Sequence, residues 1–281
     1  MTVLVSVTSI ALDTWNRSRA ELRASRQAKA MLDVMSRDFE SLVVRSGNNF
    51  QWLSALASSP VGDPKLQSTN ASELIFFTAV TDRYNGDLGA DSTSDRGGDI
   101  SCVSYKLAYK DPVDGGGSSD FETFVLNRLV VNPDETFDDL LAREDLETAF
   151  RTYDAELSSP ENFVCENVFQ FSVTFHIQVT QKNASGDVTG VVMVPVTVGK
   201  NAQTEEFRVY GTGIDTDVSG TSVSASELAA GRLTALEISV TVISDFGIDQ
   251  VKRRSMNDSQ KAEFLAGNSY QYTKKVQLPS M

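Results

Sequence analysis

The sequence predicts an α+β protein: one long N-terminal helix packed on a largely antiparallel β head with short helices, divided as 1–45 and 46–281. Three observations carry that expectation. From Asp13 to about Arg45, apolar residues recur at steps of three and four, and no Gly or Pro intervenes before Gly47. Residues 163–180 alternate apolar and polar, as in a strand with one wet side. The remaining elements read as successive strands with two short helices, not as the βαβ alternation of a parallel sheet.

The helix has a different character at each end. Met1–Leu12 is apolar and uncharged, whereas the later part carries a stripe of Ala24, Ala28, Met31, Met35, Phe39 and Leu42. Arg17, Arg19, Arg23, Arg26, Lys29 and Arg37 fall mostly off that stripe. At 1.5 Å per residue such a helix would be about 65 Å long, more than one domain covers. Its N-terminal half is therefore expected to project and to find another partner. The apolar run spans about 11 residues, short of the roughly 20 needed to cross a bilayer. No basic residues precede it and no cleavage site follows, so it reads as the second half of a membrane helix and not as a signal peptide. A buried helix end is the alternative.

Beyond the helix, Gly47-Asn48-Asn49 is a stop signal. Residues 50–72 read as a Ser/Pro-rich connection. Glu73–Val80 is expected to be a core strand, followed by a polar surface loop over Thr81–Asp99. Ile100–Tyr109 and Phe121–Val131 are expected to form a hairpin with a long tip around Gly115-Gly116-Gly117. Pro133-Asp134 opens an expected helix over Thr136–Phe150, with acidic residues in its first turn. Val188–Val198 and Glu205–Tyr210 are further strands around a turn at Gly199-Lys200-Asn201. Leu233–Ser244 is another strand, Asn257–Leu265 a short helix, and Ser269–Leu278 the closing strand.

Composition narrows the function classes. Of 281 residues, 41% are hydrophobic and 22% charged, as in a folded globular protein. The net charge of −13 is uneven: residues 1–48 hold seven Lys/Arg against five Asp/Glu, so the acidity lies in the head. Such a head repels phosphate backbones, which argues against nucleic acid as a partner.

Catalytic and metal-binding motifs are absent. There is no GxSxG, HExxH, P-loop or dinucleotide fingerprint in the required context. His176, the single histidine, stands on the polar face of its strand without an evident partner, and Asp215-Thr216-Asp217 reads as a turn. The loop carrying Asp82, Asp87, Asp91, Asp95 and Asp99 offers the oxygens a hard cation wants. Its spacing does not match the EF-hand, and it is read as an acidic surface loop that needs no calcium. No cofactor is expected. Cys102 and Cys165 allow one disulfide at most. Cys102 alternates with Ser104 and Lys106, which suggests the less buried side of its strand, and both a bridge and two unpaired thiols stay open.

The block LVSVTSIALDTWNRSRAELRASRQAKAMLDVMSRDFESLV resembles the long helix of type IV pilin-like proteins, most of all the J-type minor pseudopilins of type II secretion. The later blocks SELIFFTAV, DISCVSYKLAY, FVLNRLVV, FQFSVTF and LTALEISVTVIS are similar to that group's strands, in the same order. The resemblance implies a structural subunit and no enzyme. It also implies an inner-membrane anchor with the head in the periplasm, and assembly with other pseudopilin subunits near a filament tip. Leu4, Val7, Leu12 and Trp15 would then contact lipid or neighbouring helices, and Ala28, Met31, Met35, Phe39 and Leu42 would hold the helix on the head. The family's leader, cleavage site and glutamate at the fifth mature position are not in this sequence, so processing and N-methylation carry over to no residue here. The competing expectation is a secreted or surface β-rich module that binds a glycan or protein through the 81–99 and 111–120 loops.

Overall fold

The computed structural model describes residues 2–79, 98–113, 115, 122–183, 185–218, 221 and 223–279. Helix α1 runs from Thr2 to Glu40. It is followed by β1 (Gln51–Ala57), β2 (Val61–Asp63), β3 (Leu66–Ser68), β4 (Ser72–Thr78), β5 (Ser101–Lys110) and β6 (Thr123–Val131). A run of short helical turns over 133–162 then leads to β7 (Phe163–Glu166), β8 (Val168–Lys182), β9 (Val188–Val198), β10 (Glu206–Tyr210) and β11 (Gly213–Asp215). The chain ends with β12 (Arg232–Ile243), two helices over Asp245–Arg253 and Asp258–Asn268, and β13 (Ser269–Gln277).

The strands form a seven-stranded sheet in the order β11-β10-β1-β4-β5-β6-β7, a four-stranded sheet in the order β13-β12-β8-β9, and the small β2-β3 hairpin. Every pairing between these strands is antiparallel. This corrects the fold class expected from the sequence. The molecule is a β-rich fold of two packed antiparallel sheets, not a pilin-like head organised by a helix packed upon it. The physical reason is that hydrophobic alternation identifies a strand without saying which sheet it joins. β1 and β11, neither of them read from the sequence, extend one sheet, while β8, β9, β12 and β13 close a second.

The large sheet is covered on both faces, which explains why its central strands do not alternate. Registers place Leu53, Phe76, Val103 and Val130 in one row, and Ala55, Leu74, Tyr105 and Arg128 in the next, on the same face. On that face Phe39 of α1 stacks on Phe76 at 4.0 Å between ring centroids. Phe207 of β10 stacks on Phe175 of β8 at 4.1 Å, so α1 and the smaller sheet share the same side. The opposite face, with Ile75, Phe77, Cys102 and Leu129, is closed by the 133–162 segment, whose Leu140, Leu146, Phe150 and Leu157 are buried. Strands buried on both sides read as continuous apolar runs. In β8, by contrast, Phe171, Val173, Phe175, Ile177 and Val179 are buried while Ser172, Thr174, His176 and Gln178 are half-buried on the outer face.

Two local expectations also change. The helix expected over Thr136–Phe150 is interrupted after Leu140 and restarts at Leu146 with Asp145 as its cap, accepting from the Thr148 amide at 2.9 Å. The break frees backbone for β1: Gln51 N–H donates to the Arg143 carbonyl at 3.2 Å and the Gln51 side chain accepts from Leu146 N–H at 2.8 Å. β9 and β10 do not form a hairpin about 199–201, because the chain there passes from the small sheet to the large one. The earlier passage between sheets, from β7 to β8, turns on Asn167, whose φ of 63° lies in the left-handed region that asparagine tolerates.

Candidate assembly interface

Helix α1 is built in two halves. In the second, Ala24, Ala28, Met31, Leu32, Met35 and Phe39 are all buried, so the stripe read from periodicity is the face turned to the sheets as far as Phe39. The helix stops at Glu40, short of the expected 45, and Leu42, also buried, lies beyond it in extended backbone bridged to Thr78 of β4. Fully burying a side chain the size of Met31, Leu32, Met35 or Phe39 contributes about 1.5–3 kcal/mol, which makes the stripe the main attachment of the helix. Peripheral ion pairs join Arg23 to Glu166 and Lys274 to Asp33 at 2.6 Å. The hydrogen bond and charge of Lys274 hold the Asp33 carboxyl below its ordinary range.

Beside Phe39 lies a group that sequence reasoning assigned no role. Asp38 is 2% exposed and accepts two parallel bonds from Arg128, Nε to Oδ2 at 2.7 Å and Nη2 to Oδ1 at 2.8 Å. The Tyr105 hydroxyl donates to Oδ2 at 2.5 Å, and the Thr78 hydroxyl donates to the Asp38 carbonyl at 2.8 Å. Burial, then the Asp38 charge, push the Tyr105 phenol well above its ordinary value. Burial is the largest single influence on the Arg128 guanidinium and would lower its pKa, but the hydrogen bonds and charges of Asp38 and Tyr105 together outweigh it and raise the pKa. The signal was present in the sequence: Asp38 follows Met35 by three, on the apolar stripe, and Arg128 interrupts the apolar run of β6.

The first half differs. Every described side chain from Leu12 to Arg23 is exposed, including Leu12 at 55%, Trp15 at 58% and Leu22 at 56%. Arg19 lies over the Trp15 ring, 5.3 Å from its centroid. Leu4 and Val7 belong to the same helix, but their side chains are not among those described. The buried part begins at Ala24, so roughly 33 Å of helix precedes it. Among the described residues no helix is long and apolar enough to cross a membrane.

The two cysteines are free and buried, which corrects both the disulfide option and the placing of Cys102 on a wetter side. Cys165 pairs with Leu126, and Leu126 with Leu107, so Cys165 shares the face of Leu107. Cys102, five residues before Leu107, points to the other face about 16 Å along the sheet. A bridge needs Cα atoms about 4.4–6.8 Å apart. Burial pushes the Cys165 thiol up to about 12 and that of Cys102 well above its ordinary value.

Other chemistry does not converge. His176 stands on the outer face of the small sheet between Pro195 and Ala235, its pKa lowered by burial and by Lys275. An open cleft of about 660 Å³ is lined by Asp111, Glu122, Glu166, Asp245, Asp249 and Lys252 among others. No group of three His, Cys, Asp or Glu among the described residues is arranged to hold a metal ion. Asp82, Asp87, Asp91 and Asp95 lie outside the described residues, as does most of the 111–120 tip, while Asp99 is exposed. Comparison with protein families, characterised proteins and solved structures gives no match.

Proposed function

We propose that this protein is a structural subunit that assembles, in the manner of the pseudopilins its sequence resembles, by laying the first half of α1 against the helices of neighbouring subunits. The observation that supports this is the division of one helix into a buried half and an exposed half, with Leu12, Trp15 and Leu22 uncovered. Large apolar side chains grouped on a protruding element mark a contact surface rather than a solvated one. On this reading the acidic head stands in the periplasm, and the apolar Thr2–Leu12 stretch rests against the inner membrane before assembly. The proposal involves no catalytic step, cofactor or metal.

The test is a double substitution, Leu12→Asp with Trp15→Asp, in the intact chain in its own cells. Both side chains are exposed, so the melting temperature is expected to stay within about 1 °C of the parent, as for ordinary surface changes. The fraction of the chain sedimenting in large assemblies is expected to fall at least tenfold. Assembly at the parental level by a folded variant would remove the proposal.

A further inference from the structure

The sheet edges of this protein are not equally protected. β11 has three residues and β7 four, too short to template much pairing. β13 carries Lys274 and Lys275, and Lys274 is tied to Asp33 of α1. β9 is the exception: eleven residues, Val188–Val198, with no charged side chain, at the end of its sheet. Val191 and Met193 are exposed on it at 56% and 51%.

The phase of its hydrogen bonding can be read from its far end. Thr197 N–H donates to the Gln203 side chain at 2.9 Å and its carbonyl accepts from Thr204 N–H at 3.3 Å, so Thr197 turns its backbone away from β8. Outward and inward pairs alternate along an antiparallel ladder, and the β8–β9 register is unbroken from Val198 to Gly190. Pro195, Met193 and Val191 therefore also face outward. Pro195 has no N–H to leave unpaired there, which is where an edge strand tolerates proline. The open stretch is thus bounded by Pro195 and the Gln203–Thr204 cap on one side and by the shift near Val188 on the other.

We propose that this edge pairs with the same edge of a second copy, antiparallel and centred on Val192. In that register Val191 faces Met193 of the other copy and Met193 faces its Val191. All four outward groups of Val191 and Met193 in each copy then find partners. Centring on Met193 would place Val191 opposite Pro195 and lose bonds. The central register also sets Val191 beside Met193 across the new strand pair, an apolar contact in a stretch without like charges to oppose it. Few residues take part, so the buried area falls below the roughly 1,200 Å² of stable interfaces and the dimer is reversible. This surface is separate from α1 and does not depend on the assembly proposal.

The experiment is sedimentation equilibrium on the intact chain carrying Leu12→Asp and Trp15→Asp, which removes association through α1. A reversible dimer is expected, weakened at least tenfold by Met193→Lys with no change in melting temperature. A second measurement fixes the register: Val192→Cys is expected to form an intermolecular disulfide under mild oxidation, since non-hydrogen-bonded partners have Cα atoms about 4.5 Å apart. The native cysteines are both buried and do not compete. A chain that stays monomeric at its highest soluble concentration overturns the proposal, as does a dimer indifferent to Met193→Lys or a Val192→Cys chain that stays reduced. A monomer whose Val191 and Met193 amides gain exchange protection only beside a different subunit gives the edge to a foreign strand, and equally overturns it.

Discussion

Asp38 shows how one residue can make a helix-to-sheet contact specific. A carboxylate that is 2% exposed is tolerated because Arg128 meets it with two parallel bonds and Tyr105 adds a third. Hydrophobic burial supplies most of the attachment, and the buried pair ties the helix to the paired residues Tyr105 and Arg128 of the sheet. Removing one partner is costly because it strands the other. Arg128→Ala is expected to destabilise the protein by about 3–5 kcal/mol in urea unfolding. Replacing the whole group, Asp38→Leu with Arg128→Met and Tyr105→Phe, should recover most of that loss, because apolar residues of similar volume leave neither a buried charge nor the buried Tyr105 hydroxyl without a partner. A single Arg128→Ala that costs less than about 1 kcal/mol would mean that water already serves the carboxylate.

At the scale of the element, α1 is one helix with two local stabilities. The half bearing Ala28, Met31, Met35 and Phe39 opens only when its packing against the sheets is lost, whereas the half from Leu12 to Leu22 has exposed side chains along its described length. Short helices without tertiary packing are marginal in water, so the two halves should differ in amide exchange. Amides from Ala28 to Phe39 are expected to exchange at least a hundredfold more slowly than those from Leu12 to Leu22 in the free chain. Equal protection along the helix would show that its first half is also packed. The stripe was legible in the sequence because a 3.6-residue period survives intact from Ala24 to Phe39. The strand of 163–180 was legible for the matching reason, one face dry and one wet. β1 was not: its Gln51, Trp52, Leu53, Ser54 and Ala55 are all buried, so no alternation marks it, and the Ser and Pro that follow it resemble a linker. The interruption after Leu140 was hidden too, since Leu140 and Leu146 hold their buried positions while the backbone between them leaves the helix to bond Gln51.

At the scale of the molecule, two sheets and a helix enclose one core, and both long surface features remain open outside it: the first half of α1 and the free edge of β9. The sequence could not assign strands to sheets, because the registers that join β10 to β1 and separate β9 from β10 depend on contacts far apart in the chain. The exposed start of α1 was legible, since a helix longer than the domain it packs on must leave one end uncovered. The most direct test of assembly through that end uses a photoreactive side chain at Trp15, compared with one at Phe137, which is also exposed but belongs to the 133–162 cover. Irradiated in the intact protein within its own cells, position 15 should give adducts that map to the N-terminal helices of neighbouring subunits, and position 137 should give few. Adducts from 137 alone, with position 15 silent, would contradict assembly through α1.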